Sequence, residues 1–196
     1  EIETLYIGGG TPTTLSPEEM ETLIKGLFKE FDLSNIKEFT VEAGRPDTIN
    51  REILEVLKKH GVSRISINPQ TMNDETLQKV GRKHSVNDII ECFQLARELG
   101  FDNINMDIIL GLVDENLAMV ENTLKEIEKL SPESLTVHTL AVKRTSKLKE
   151  NIDNYELTQF DEMTKMIDLS MKYAKKMGLN PYYMYRQKQM LGNLEN

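Results

Sequence analysis

Five short runs of strand-forming residues alternate with capped helical patterns along this chain, and that alternation leaves few folds open. The runs are residues 4–8, 38–42, 63–68, 103–109 and 134–140. Ser16-Pro17-Glu18-Glu19 is a capping box with proline at the first helical position. Asn50 opens a helix with Ile53, Leu54 and Leu57 on one face, closed by Gly61. Asn73 opens a short helix that ends near Gly81, and Ser85 with Asp88 opens another, closed by Gly100. Leu117, Val120, Leu124, Ile127 and Leu130 keep helical spacing up to Pro132, as do Phe160, Met163, Ile167, Met171 and Ala174 up to Gly178. A helix between successive strands carries the chain back to start the next strand in the same direction. The pattern therefore predicts an α/β fold with a parallel sheet. Residues 1–178 read as one domain, with 179–196 as a last strand or tail.

The strands are not uniformly apolar, as strands covered on both faces by helices would be. Phe39 and Val41 alternate with Thr40 and Glu42, and Ile65 and Ile67 with Ser66 and Asn68. Ile104, Met106 and Ile108 alternate with Asn105 and Asp107, and Leu135 and Val137 with Thr136 and His138. Period two sends the apolar set to one face, under helices, and gathers carboxylates, amides and hydroxyls on the other. The interior of an ordinary barrel is filled by branched apolar side chains. A polar interior points to a ligand, because buried polar groups must be hydrogen-bonded; an open sheet with one wet face is the plainer alternative. An open, incomplete barrel with helices on its outer face fits both.

The first strand runs into Gly8-Gly9-Gly10-Thr11-Pro12-Thr13. Glycines at the C-terminal end of a parallel strand let a ligand approach bare backbone, and this is where parallel α/β folds place their sites. A tight strand-to-helix connection would use the same residues.

Bulk properties exclude several classes. The formal charge is −8 with no basic cluster, which argues against a nucleic-acid backbone as partner. No apolar run reaches the ~18 residues that a membrane span requires, so no membrane association is expected. Cys92 is the single cysteine, which excludes an internal disulfide, suits a reducing cytoplasm and excludes a cysteine-ligated metal centre built from this chain alone.

The motifs together resemble the radical S-adenosylmethionine (SAM) superfamily and, within it, the oxygen-independent coproporphyrinogen III oxidase family. The residues that carry the likeness are Gly8-Gly9-Gly10-Thr11-Pro12-Thr13, Thr40-Val41-Glu42, Arg64-Ile65-Ser66-Ile67-Asn68-Pro69-Gln70-Thr71-Met72-Asn73, Gly81-Arg82-Lys83-His84 and Asn105-Met106-Asp107-Ile108-Ile109-Leu110-Gly111-Leu112. They stand in family order and spacing over almost the whole chain. Glu42-Ala43-Gly44-Arg45-Pro46 and residues 136–144 resemble a divergent branch. The resemblance implies a partial TIM-like barrel. Gly9, Gly10 and Thr11 would meet the SAM amino group, and Glu42 and Gln70 the ribose. Arg82 would pair with the SAM carboxylate, Asp107 would bind near the adenosyl group or a second SAM, and Ala141 would touch the adenine. It further implies a 4Fe–4S cluster, an electron donor for it, and a porphyrinogen substrate. In the family, SAM yields a radical that starts decarboxylation of coproporphyrinogen III in anaerobic haem biosynthesis. His138 and Arg186 are candidates to face that substrate. A haem chaperone of the same family is the second reading, and an unrelated phosphate-binding βα-barrel enzyme the third.

The family holds its cluster by three cysteines after the first strand, and this sequence has no such triad. The sequence is therefore expected to be a fragment that lacks the first strand of the barrel and stops early, to ligate no metal itself, and to be inactive alone. Cys92 reads as a core residue, His60 as a helix-end residue favoured by the dipole, and His84 as structural.

Overall fold

The computed structural model describes residues 1–140 and 152–182. Five strands form one sheet in the order β1-β2-β3-β4-β5: β1 (Thr4–Ile7), β2 (Glu38–Gly44), β3 (Arg64–Gln70), β4 (Ile104–Leu110) and β5 (Ser134–Thr139). The order in space equals the order in sequence, as expected when each strand is laid beside its predecessor by a right-handed helical crossover. β1 pairs parallel to β2 with Tyr6 opposite Thr40, and β2 pairs parallel to β3 with Val41 opposite Ile65. A bulge between Val41 and Gly44 shifts the register, so that Gly44 stands opposite Ile67. β2 and β3 thus run on to Gly44 and Gln70, past the polar residues Glu42 and Asn68 where the apolar pattern stops. The backbone ladder needs no side chain to continue it.

The helices are α1 (Pro17–Glu30), α2 (Arg51–Lys59), α3 (Asp74–Lys79), α4 (Val86–Glu98), α5 (Leu117–Leu130) and α6 (Ile152–Lys176). Both capping boxes form: Ser16 accepts from the Glu19 amide and Ser85 from the Asp88 amide, each carboxylate reaching back to the cap. Ser85→Ala should lower stability by about 1 kcal/mol, the usual cost of a lost helix cap; urea denaturation with an unchanged slope would measure it.

The described residues fall into two compact units. The first comprises residues 1–69, 82–107 and 132–136, the second residues 70–81, 108–131, 137–140 and 152–182. In the first, the core holds Met20, Ile24, Phe39, Val41, Ile53, Leu54, Leu57, Ile65, Ile89 and Phe93, all essentially buried. Phe28 of α1 meets Phe39 of β2 with ring centroids 6.2 Å apart, so α1 covers the apolar face of that strand. In the second, α5 buries Val120, Leu124 and Ile127. α6 buries Met163, Met166 and Tyr173, while Met171 is 63% exposed. The apolar face of α6 is therefore turned by about one position from the Met163, Ile167, Met171, Ala174 face that spacing alone suggests. Anchors to α5 fix that rotation: the Tyr173 hydroxyl donates to Glu121 at 3.2 Å and Lys176 pairs with Glu128.

Glu21 on α1 gathers Lys25, Lys59 and His60 within 3.1 Å. Hydrogen bonds from Lys59, His60 and Lys25, in that order, hold its carboxyl down at about 2. A carboxyl lowered in the folded state contributes stability that is complete above its ordinary value near 4.5 and is lost as pH falls toward 2. Glu21→Gln should therefore lower the melting temperature most at neutral pH and flatten its fall across that window, the two proteins converging toward pH 2. Thermal scans between pH 2 and 7 would measure it.

Candidate cofactor site

The C-terminal ends of four consecutive strands turn through left-handed backbone. Gly9 follows β1 with φ 113°, Gly44 ends β2 with φ 72°, Gln70 ends β3 with φ 68°, and Gly111 follows β4 with φ 78°. Thr11 joins them at φ 72°. Left-handed backbone at a residue other than glycine costs energy and persists where the surroundings impose it, often at functional sites. Thr11 and Gln70, two residues expected to meet SAM, are among the four such residues described.

A cross-brace fixes the glycine loop. Pro12–Thr14 and Pro46–Thr48 each form a 3-10 turn with proline at its start, two elements not anticipated from the sequence. The Thr13 hydroxyl donates to the Ala43 carbonyl at 2.5 Å and lies 2.7 Å from the Thr48 hydroxyl. The loop after β1 is thus tied to the end of β2. A Cβ added at Gly9 or Gly10 would meet nothing within 4 Å. The space above these two residues is open, as a ligand held on their backbone requires. Gly8 differs: a Cβ there would lie 2.8 Å from Glu42 Oε2 and collide with the Tyr6 ring.

Glu42 is the hub of the first unit. Its Oε2 accepts from the Tyr6 hydroxyl at 3.2 Å and from the Gly9 amide at 3.4 Å, and its Oε1 accepts from Asn68 at 3.5 Å. Ser66 donates to Asn68 at 2.9 Å, and Asn105 donates both to Ser66 and to Asp107. Thr136 donates to Asn105 at 3.1 Å. One hydrogen-bonded row therefore crosses β1 to β5 and joins Glu42 to Asp107. The polar face is in part its own partner: Thr40, Ser66 and Asn105 are buried and satisfied among side chains of the same face. Glu42, Asn68 and Asp107, toward the C-terminal ends of their strands, are half-buried, as are Arg64 and Thr136 on the same face. The sequence pattern singles out Asn68 with the polar set of its strand but gives no sign of Tyr6. The β1–β2 register places Tyr6 beside Thr40 on the face that Glu42 shares, and only a known register could have found it.

Arg82 belongs to the same unit and is half-exposed. No hydrogen bond or ion pair joins it to another described residue. The structure does not bring it into contact with Glu42 or Gly10. Its segment is anchored two residues on, where the buried His84 ring places Nδ1 3.5 Å from Asp47, in the turn that follows β2. His84 is structural in that sense, although its two ring nitrogens have no hydrogen-bond partner among the described residues.

Gln70 and His138 lie in the second unit. Behind Gln70, Thr71 donates to Glu115, and the Asn73 amide donates to Glu115 at 3.0 Å, to the Met119 carbonyl at 3.1 Å and to Thr123 at 3.1 Å. The Met72 amide donates to Thr123 at 3.0 Å. This buried network imposes the turn at the end of β3. His138 is half-buried on β5. Ala141 and Arg186 lie outside the described residues.

The residues suit SAM and do not suit an iron–sulfur cluster. A cationic side chain without a partner among the described residues, a carboxylate hub and open glycine backbone are what a zwitterion carrying a diol requires. Among the described residues no group of histidine, cysteine and carboxylate side chains is arranged to hold a metal. Cys92 is buried in α4, and that burial pushes its thiol up to about 12, far from the thiolate a cluster needs. His60 caps the end of α2 and faces Glu21 at 3.0 Å. Among the described residues no helix is long and apolar enough to cross a membrane.

Comparison with known proteins gives a consistent answer. The model of the radical SAM superfamily matches residues 1–127. The chain is 49% identical over 197 residues to the oxygen-independent coproporphyrinogen-III oxidase-like protein HemZ of Bacillus subtilis, an alignment covering 100% of this chain and 39% of that protein. It is 38% identical over 143 residues to the haem chaperone HemW of the same organism, covering 72% of this chain and 38% of the relative. The solved structure of coproporphyrinogen III oxidase (HemN) from Escherichia coli, described as a radical SAM enzyme, superposes with a TM-score of 0.77 at 25% identity, over 90% of this chain and 41% of that one. The chain thus spans about two fifths of the length of these relatives. The parallel sheet is that of a partial TIM-like barrel, and SAM and a 4Fe–4S cluster are the cofactors of this fold family. By its matched residues, its strand order and its glycine loop, the chain belongs to the radical SAM superfamily.

Proposed function

We propose that this chain is the SAM-binding part of a radical SAM oxidoreductase that decarboxylates coproporphyrinogen III to protoporphyrinogen IX. The observation that carries the SAM assignment is the hydrogen-bonded row from Gly9 through Glu42 to Asp107, with Arg82 of the same unit unpaired among the described residues. Likeness to the oxidase-like HemZ and to HemN supports the porphyrinogen substrate.

In this reading the Gly9 and Gly10 backbone and the Thr11 hydroxyl receive the amino group of SAM. Arg82 neutralises its carboxylate. Glu42 and Gln70 orient the ribose hydroxyls, and Asp107 and Ala141 border the adenosyl group. Bound there, SAM supplies the one-electron chemistry that starts removal of the propionate carboxyl group. Within the first unit the chain's contribution is position: the hydrogen-bonded row holds Glu42 and the Gly9 backbone in place before the ligand arrives. His138 and Arg186 face the porphyrinogen, Arg186 as a partner for a propionate. The cluster's ligands come from outside this chain.

The test uses the full-length protein, anaerobic and cluster-loaded, with SAM, a reductant and coproporphyrinogen III. Carbon dioxide release together with protoporphyrinogen IX supports the reading. Stoichiometric haem binding with no decarboxylation replaces it with the chaperone reading, which the 38% identity to HemW favours.

A further inference from the structure

We infer that Tyr6 is a positioning residue for the Glu42 carboxylate, holding it so that Oε1 is presented to the diol of the bound nucleoside. The inference rests on the SAM reading above and adds a residue to it. Glu42 has two oxygens, and the structure uses them unequally. Among the described residues Oε2 takes two donors, the Tyr6 hydroxyl at 3.2 Å and the Gly9 amide at 3.4 Å, whereas Oε1 has only the Asn68 side-chain amide at 3.5 Å. A carboxylate accepts about four hydrogen bonds across its two oxygens, so Oε1 keeps the capacity that a pair of ribose hydroxyls needs.

Three features make the Tyr6 contact a fixed device and not a surface accident. First, the β1–β2 register sets Tyr6 beside Thr40, one pleat from Glu42 on the same face, so the phenol reaches the carboxylate along the sheet. Second, Gly8 leaves the room: any Cβ there would strike both the Tyr6 ring and Glu42. Third, the phenol remains a donor. Tyr6 is 61% exposed, yet partial desolvation and then the charges of Glu42 and, more weakly, Asp107 push its hydroxyl up to about 12.

The experiment measures SAM affinity of the full-length, cluster-loaded protein by anaerobic calorimetry for wild type, Tyr6→Phe, Glu42→Gln and the double variant, each with its melting temperature. Tyr6→Phe keeps the ring and removes the hydroxyl. It should weaken SAM about three- to tenfold, less than the roughly tenfold or more of a lost hydrogen bond to a charged group because the hydroxyl acts on the ligand only through the carboxylate, with melting unchanged. Glu42→Gln should weaken SAM at least as much. The double variant should be no weaker than Glu42→Gln alone, because a hydroxyl that acts only through the carboxylate has nothing left to act on. Gly8→Ala, which crowds the same contact from the backbone side, should reproduce the Tyr6→Phe loss. If Glu42→Gln weakens SAM while Tyr6→Phe and Gly8→Ala do not, the role of Tyr6 is overturned and the SAM reading stands. If neither Glu42→Gln nor Tyr6→Phe changes the affinity, the SAM reading itself falls. Additive losses in the double variant would show that Tyr6 touches the ligand directly, which also overturns a positioning role.

Discussion

Arg82→Ala should raise the dissociation constant of SAM about ten- to hundredfold in the full-length, cluster-loaded protein, with little change in the melting temperature of the ligand-free form. The guanidinium has no hydrogen bond or ion pair to another described residue, so its removal breaks nothing that holds the fold. The ligand carboxylate loses its charge partner, worth roughly 1.5–3 kcal/mol for a charged hydrogen bond, and each 1.4 kcal/mol is tenfold in affinity. Arg82→Lys should recover part of the loss, since a lysine keeps the charge and gives up the two-pronged geometry. Calorimetric titration of the three proteins measures this. Wild-type affinity in Arg82→Ala would remove Arg82 from the site and leave the glycine loop and Glu42 to carry it.

Phe39→Ala should destabilise the chain by about 3–5 kcal/mol, the usual cost of deleting a buried aromatic ring. Phe39 is 2% exposed in β2, opposite Leu5 of β1, and its ring meets Phe28 of α1. At about 2–4 °C per kcal/mol for a chain of this size, melting should fall by about 6–20 °C. Phe28→Ala is the control. Phe28 is 45% exposed, so the same deletion opens no closed cavity, and a smaller fall is expected. Differential scanning calorimetry separates the two; equal falls would mean that the contact between the rings, and not burial of Phe39, carries the energy.

Much of this site could be read before any coordinates. The strand-end glycines, the alternation of Glu42, Asn68 and Asp107 with apolar neighbours, and the capping boxes at Ser16 and Ser85 are local signals. Their physics acts within a few residues, and the structure places these elements where the pattern does. The rest was not legible for reasons that can be named. The polar face of the sheet looked like an unfilled cavity, but Ser66, Asn105 and Thr136 satisfy one another across strands up to 70 residues apart in sequence. The left-handed turn at Gln70 carries no glycine to announce it. It is imposed by Thr71, Asn73, Glu115 and Thr123, brought together from two helical connections. The rotation of α6, which exposes Met171 and buries Met166, depends on where α5 lies and on the Tyr173–Glu121 anchor.

The sequence by itself determined the class of fold and the chemistry it can carry. Periodicity, caps and glycine placement are properties of the chain over one or two turns, and a single cysteine excludes a self-ligated cluster whatever the fold. Tertiary structure alone decided how Glu42 spends its hydrogen-bonding capacity. Strand register sets Tyr6 beside it, a bulge in β2 sets the height of Gly44, and the 3-10 turns bring Thr13 to Ala43. Those are distances between segments that the chain does not encode locally. They follow from how the ladder and the core pack, because a carboxylate has no preferred partner until the sheet supplies one.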